Sequence, residues 1–293
     1  MTEESRYLIE LATRNALAYT SLPGARAAML SGSAAEGESD RYSDIDMMIY
    51  YDELPCDEAL NAAREQNGGS ERIWQAGDRD NGVLMEAYRV NGVECQVVHA
   101  TVAAWERDMA TVLEQHVVDS PLQKALSGLL YAIPLYGNEL IAEWKARAAA
   151  YPDGLRDKMV MRHLTFFPIW GMEERFFSRD ATLWFHQVRV EILQNVLGAL
   201  AGLNRVYYTT FQFKHAAAFV RQLKVAPENL NERIEEALAA CNQEAVPKLD
   251  VLVRETVDLV EREMPQIDTS GSRRRIDHRP EPWTMINDEL AGA

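Results

Sequence analysis

Asp44 and Asp46, separated by one isoleucine, stand in the otherwise apolar run DIDMMIYY. Strands disfavour aspartate, so a pair inside one requires a reason. Residues two apart in a strand point to the same face, which projects both carboxylates together while Ile45 and Met47 turn to a core. Adjacent carboxylates repel each other, and a divalent cation relieves that repulsion. Hard oxygen donors at this spacing suit Mg2+, which in turn binds substrate phosphates. Ten residues separate Asp44 from Gly32-Ser33, which closes another short apolar run, ARAAML. Such a turn offers backbone N–H groups and a hydroxyl to a phosphate. The parts together suit a nucleoside triphosphate.

The stretch SGSAAEGESDRYSDIDMMIY resembles the signature of the polymerase-beta-type nucleotidyltransferase superfamily, a Gly-Ser turn, a spacer and Asp-x-Asp on the next strand. The resemblance implies a third carboxylate on a later strand beside the pair, and Glu94 in GVECQVV is the best position for it. Alternation puts Glu94 and Gln96 on one face. Glu86 competes, but a tight Asn91-Gly92 turn pairs residue 90 with 93 and sends Glu86 to the face of Cys95 and Val97. Glutamate in place of the commoner aspartate adds a methylene, and Gln96 leaves the strand with one carboxylate only.

A transferase module followed by a helical bundle is similar to the small-molecule antibiotic nucleotidyltransferases, the aminoglycoside and lincosamide adenylyltransferases. LNRVYY followed by Lys214 resembles the Asn-Arg-x-Tyr…Lys stretch of some relatives, and if carried over Lys214 and Arg205 reach the triphosphate. The resemblance implies a Mg2+-dependent enzyme that transfers a nucleoside monophosphate, AMP from ATP, to a hydroxyl of an aminoglycoside-like small molecule. Gly32, Ser33, Arg205 and Lys214 would bind the nucleotide, and Asp44, Asp46 and Glu94 the metal. Attack on the α-phosphorus would be in line, with release of pyrophosphate. The general base would be Glu94 or Glu191, an acid inside the largely apolar helix FHQVRVEILQNVL. Two alternatives are a protein-AMPylating transferase of the toxin and antitoxin type and a nucleotide-sensing module without turnover.

The elements that must position these residues follow from periodicity. Residues 4–20 read as an amphipathic opening helix, ARAAML and DIDMMIYY as strands, residues 57–66 as a helix, and RIWQAG, GVLMEAYRV and GVECQVVHA as strands, the last two joined as a hairpin. From Val102 the spacing turns helical over 102–117, 121–132, 139–150, 155–177, 181–203 and 228–263. The expected fold is an α+β nucleotidyltransferase domain, a mixed sheet with flanking helices, over residues 1–118, followed by an all-α helical bundle over 119–267. The site would lie in the cleft between them, and residues 268–293 would form a polar, poorly packed tail.

With 293 residues and 47% apolar usage the chain can bury a sizeable core, which excludes wholesale disorder. Acidic residues outnumber basic ones 45 to 30, for a formal charge of −15, which argues against a nucleic-acid partner and favours cationic ones. The excess is concentrated early: 21 acidic against 9 basic residues precede Asp119, and no lysine precedes Lys124. Three cysteines without ligand spacing indicate neither a disulfide framework nor a zinc site. No secretory leader or membrane-length apolar run is visible, so a cytoplasmic protein without a membrane partner is expected. A homodimer is compatible with the sequence. The histidines share no ligand spacing, the aromatic run from Phe166 to Phe185 reads as bundle core, and Arg273-Arg274-Arg275 reads as a solvated loop.

Overall fold

The computed structural model describes residues 1–211, 213–281 and 283, and for Glu174 the backbone alone. The architecture is α+β, a six-stranded mixed sheet with flanking helices followed by helical structure. Two compact units divide the chain, one of residues 1–156 with 205–212 and the other of 157–204 with 213–293. The division expected at residues 118 and 119 falls inside the first unit. The reason is a strand that periodicity did not reveal, Ile133–Tyr136, which pairs antiparallel with the strand Ala25–Ser31 and holds its neighbouring helices to the sheet's unit.

In the first unit α1 (Glu3–Thr20) leads into β1 (Ala25–Ser31), the short α2 (Gly32–Glu36), β2 (Ile45–Tyr51), α3 (Asp57–Gln66) and strands β3 (Trp74–Asp78), β4 (Val83–Val90) and β5 (Val93–Thr101). Helices α4 (Val102–Leu113) and α5 (Leu122–Tyr131) precede β6 (Ile133–Tyr136), and α6 (Asn138–Ala149) follows it. The strand order is β3-β4-β5-β2-β1-β6, with β2 and β5 parallel and every other pair antiparallel. Val90 pairs with Val93 across Asn91-Gly92, whose φ angles of 51° and 84° suit a two-residue turn that continues the sheet twist.

One face of the sheet packs under α1 and α3 through Leu8, Leu11, Tyr19 and Leu60 against Ile45, Met47, Ile49, Cys95 and Val97, all buried. On the opposite face Tyr50 meets Trp144 edge-on at 4.7 Å between ring centroids, and Trp105 meets Trp144 at 6.3 Å. The side chain of Thr2 caps α1, accepting from the Ser5 backbone N–H at 3.0 Å, with Glu3 and Glu4 in the positive first turn.

In the second unit the helix expected over 155–177 is interrupted. α7 (Asp153–His163), which crosses the division, ends before Pro168, and the chain resumes as the one-turn α8 (Ile169–Gly171), a π-helical turn Met172–Phe176 and a 3-10 turn Phe177–Arg179. Proline disfavours helix in the residue before it and lacks the N–H to continue a ladder. α9 (Thr182–Asn204) is the central helix, buried nearly throughout from Ile192 to Leu203. The helix expected over 228–263 is two, α11 (Leu230–Ala239) and α12 (Asn242–Glu263), after the short α10 (Ala216–Val220). Arg189 of α9 bridges the break, donating to Leu238 O at 2.9 Å and Asn242 Oδ1 at 3.1 Å. Phe166, Phe176 and Phe185 are buried, whereas Trp184 is 45% exposed.

The expected tail begins differently. Ser270–Asp277 form α13, which buries Ser272 and Ile276, and Arg273 pairs with Asp258 and with Glu261 at 2.7 Å instead of lying in a solvated loop. Residues 282 and 284–293 of that tail lie outside the described residues.

Beneath the sheet, on the α1 side, Glu86 is buried within a ring of donors. Its Oε2 accepts from Arg64 at 3.1 Å and Arg72 at 2.8 Å, and its Oε1 lies 3.2 Å from His99 Nε2 and 3.4 Å from Tyr19 OH. Burial alone would push the Glu86 carboxyl up, but His99 and Arg72 outweigh it and hold the group at about 2. A depressed carboxyl stabilises the fold fully above its ordinary value of 4.5, and that contribution is lost as pH falls toward 2. The difference corresponds to about 3 kcal/mol. Glu86→Gln should destabilise the protein by about 3 kcal/mol at pH 7, and its unfolding free energy should fall less than the wild type's between pH 4.5 and 2 in urea titrations. Equal pH slopes would contradict this assignment.

Candidate active site

The carboxylates gather at one end of the sheet, where β1 finishes and the parallel pair β2 and β5 begins. Ser31 is in register with Asp46, and Asp46 with Gln96. Alternation does what the sequence pattern requires: Ile45, Met47, Cys95 and Val97 are buried on the α1 side, while Asp44, Asp46, Glu94 and Gln96 are half-buried on the other. Glu86 belongs to the buried side, as hairpin parity expects, so it cannot share a ligand with Asp44 and Asp46.

Gly32 has φ +69°, and a Cβ built on it would run into Asp46 Oδ2. The turn after β1 must therefore be glycine for two independent reasons, its left-handed backbone and the carboxylate against it. Ser33 follows in α2 with its hydroxyl 3.2 Å from Ser39 Oγ. Ser39 is itself pinned to the start of α1, its N–H donating to Ser5 Oγ at 2.9 Å and its carbonyl accepting from Thr2 Oγ1 at 2.9 Å. The spacer between the Gly-Ser turn and Asp44 is thus anchored by the capping residues of the first helix. From the other side α5 approaches closely, since a Cβ on Gly128 would stand 2.7 Å from Ser31 Oγ.

Gln96, which leaves β5 with one carboxylate on this face, links the acids. Its Nε2 donates to Asp44 Oδ2 at 2.8 Å and to Glu94 Oε1 at 3.3 Å. Arg89 is the cross-strand partner of Glu94 in register. Between Glu94 and Gln96, on the buried side, the Cys95 thiol is pushed up to about 12 by burial, with Asp44 and Glu94 adding to the shift. It remains a thiol at neutral pH and is no nucleophile.

Within the first unit the structure brings Gly32, Ser33, Asp44, Asp46 and Glu94 together. Arg205, in a left-handed conformation at φ 58°, donates to Tyr151 O at 3.1 Å and pairs with Asp153, whose carboxyl it holds low. Its neighbours are also used by the fold. Asn204 donates to Val225 O and accepts from Val225 N–H, each at 2.8 Å, and Tyr207 OH donates to Ala148 O at 2.7 Å. Lys214 and Glu191 belong to the second unit and are exposed. Burial in an apolar helix, the reason for singling out Glu191, does not hold: it shares an open face of α9 with Val190, which is 44% exposed.

Among the described residues no three of His, Cys, Asp and Glu converge as a metal-holding group. The donor set nevertheless fits Mg2+, which takes one or two carboxylates and completes its shell with water and phosphate oxygens. Asp44 and Asp46 offer hard oxygens from one strand face, and position 32 lacks the Cβ that would fill the space against Asp46.

No protein-family model matches the chain, and no curated protein matches it in sequence. Among solved structures, the nucleotidyltransferase-like protein from Exiguobacterium sibiricum 255-15 is similar with a TM-score of 0.42 and 12% identity, over 94% of this chain and 82% of that one. No helix among the described residues is long and apolar enough to cross a membrane.

Gly92 provides a control for the Gly32 contact, because its φ is +84° but no described heavy atom lies within 4 Å of a Cβ there. Gly92→Ala should carry only the left-handed penalty of about 1–2 kcal/mol. Gly32→Ala should cost at least about 1 kcal/mol more in urea unfolding, because it also displaces the Asp46 carboxylate. Equal losses would show that Asp46 does not rest against the turn.

Proposed function

We propose that this chain is a Mg2+-dependent nucleotidyltransferase that moves a nucleoside monophosphate, AMP from ATP, onto a hydroxyl of a small molecule and releases pyrophosphate. The observation that carries the reading is the Asp46 carboxylate lying against Gly32, with Asp44 on the same strand face and Glu94 on the adjoining parallel strand. A glycine turn against paired carboxylates joins a phosphate seat to a cation seat, which is what transfer at an α-phosphorus demands.

In this reading Asp44 and Asp46 would hold Mg2+, which supplies charge neutralisation and polarises the phosphoryl oxygens. Gly32 and Ser33 would bind the phosphates that leave. Glu94 accepts the proton of the attacking hydroxyl, a role its half-buried place at the mouth of β5 permits. The acidic excess of the N-terminal half, 21 acidic against 9 basic residues before Asp119, favours a polycationic acceptor of the aminoglycoside kind. Arg205 is engaged with Asp153, which leaves Lys214 of the two cations named from the sequence as the one to test for triphosphate binding.

The test is pyrophosphate release with Mg2+ and each of the four nucleoside triphosphates, against aminoglycosides, lincosamides and a protein lysate as acceptors. The expected result is release that depends on one small acceptor and falls at least about 100-fold in Asp44→Asn and Asp46→Asn, a loss of about 3 kcal/mol of transition-state stabilisation. Label transferred only to lysate protein would move the reading to protein modification. Nucleotide binding without release in any arm would contradict transfer.

A further inference from the structure

Gln96 is the one neutral polar side chain in the array of Asp44, Asp46 and Glu94, and a carboxamide nitrogen carries two N–H groups. Ionised carboxylates only accept, so the nitrogen of Gln96 must face the two acids it touches, Asp44 at 2.8 Å and Glu94 at 3.3 Å. Both donors are thereby spent on carboxylates. Asp44 Oδ2 and Glu94 Oε1 are thus engaged by one amide nitrogen, and a cation shared by those two oxygens would have to displace it.

We infer that Gln96 is the positioning residue of this site: it holds Glu94 apart from the cation, so that Asp44 and Asp46 bind the metal and Glu94 is reserved as the proton acceptor. The inference rests on the nucleotidyl-transfer reading. It separates three acids of like charge into two tasks by means of one amide. A glutamate engaged on a cation is a poor base, whereas one held by a hydrogen bond at one oxygen keeps the other for a proton.

The register supports this division. Gln96 lies directly beside Asp46 in the parallel pair, and Asp44 and Glu94 are the residues just before that pair's first partners, Ile45 and Cys95. A methionine at position 96 would keep the length and neutrality of the side chain and remove the donors.

The experiment is a double-mutant cycle on the full chain, with Mn2+ as the probe and free Mn2+ read by electron paramagnetic resonance without nucleotide. In the wild-type background Glu94→Gln should change the Mn2+ dissociation constant by less than about two-fold. In a Gln96→Met background, where Glu94 can swing onto the cation, the same substitution should weaken binding at least about five-fold. Gln96→Leu serves as a second background, and unchanged thermal midpoints establish that each variant is folded. A merely structural glutamine would not couple to Glu94 through metal affinity. Equal effects of Glu94→Gln in both backgrounds, whether small or large, would overturn the inference while leaving the transfer reading intact. Wild-type protein that binds no Mn2+, and does not differ from Asp44→Asn with Asp46→Asn, would overturn both.

Discussion

The Asp46 carboxylate lies where a side chain at position 32 would begin, and the arrangement of this end of the sheet follows from that contact. For the two to meet, β1 must stop at Ser31 in register with Asp46, and the chain must turn through a left-handed residue at once. The turn in turn needs the spacer pinned at Ser39 to the first helix and α5 close enough to touch Ser31. Helix caps, loop and strand register are thus coupled at one point. A change in any of them moves a carboxylate.

The same sheet manages its acids in two opposite ways. On the buried side Glu86 is surrounded by Arg64, Arg72, His99 and Tyr19, and its charge is satisfied within the protein. On the open side Asp44 and Glu94 share one neutral amide, which orients them without cancelling their charge. Buried charge must be paired, whereas charge at a half-open face can be kept for a ligand. Which glutamate of the hairpin enters which environment is decided by parity about Asn91-Gly92, so a one-residue slip there would exchange them.

Much of this site was legible because it lies on strands. Period-two alternation put Asp44, Asp46, Glu94 and Gln96 on one face, and the Asn-Gly turn ruled out Glu86. What the sequence concealed depends on contacts between distant segments. β6 is four residues long and sits in a run that also fits a helix end, so only its pairing with β1 defines it. The periodicity over 155–177 ran through Pro168 although a proline there breaks the helix, the break at Ala240-Cys241 carries no proline or glycine, and α13 is helical through tertiary packing of Ile276 and the pairing of Arg273. The stretch around Arg205 was singled out by its resemblance to an Asn-Arg-x-Tyr…Lys motif, and in the fold Asn204 and Tyr207 of that stretch tie loops through backbone carbonyls. Alternation placed Gln96 beside the acids but not its contacts, and a donor shared by two acids is what their repulsion calls for.

The central claim, that Asp44 and Asp46 seat a cation against a phosphate held at Gly32-Ser33, is tested most directly by a crystal structure with Mn2+ and α,β-methylene-ATP. The account predicts an anomalous manganese peak bonded to Asp44 and Asp46, with the triphosphate over the Gly32-Ser33 turn and Glu94 outside the metal's ligand shell. A nucleotide bound away from that turn, or manganese seated without either aspartate, would contradict it.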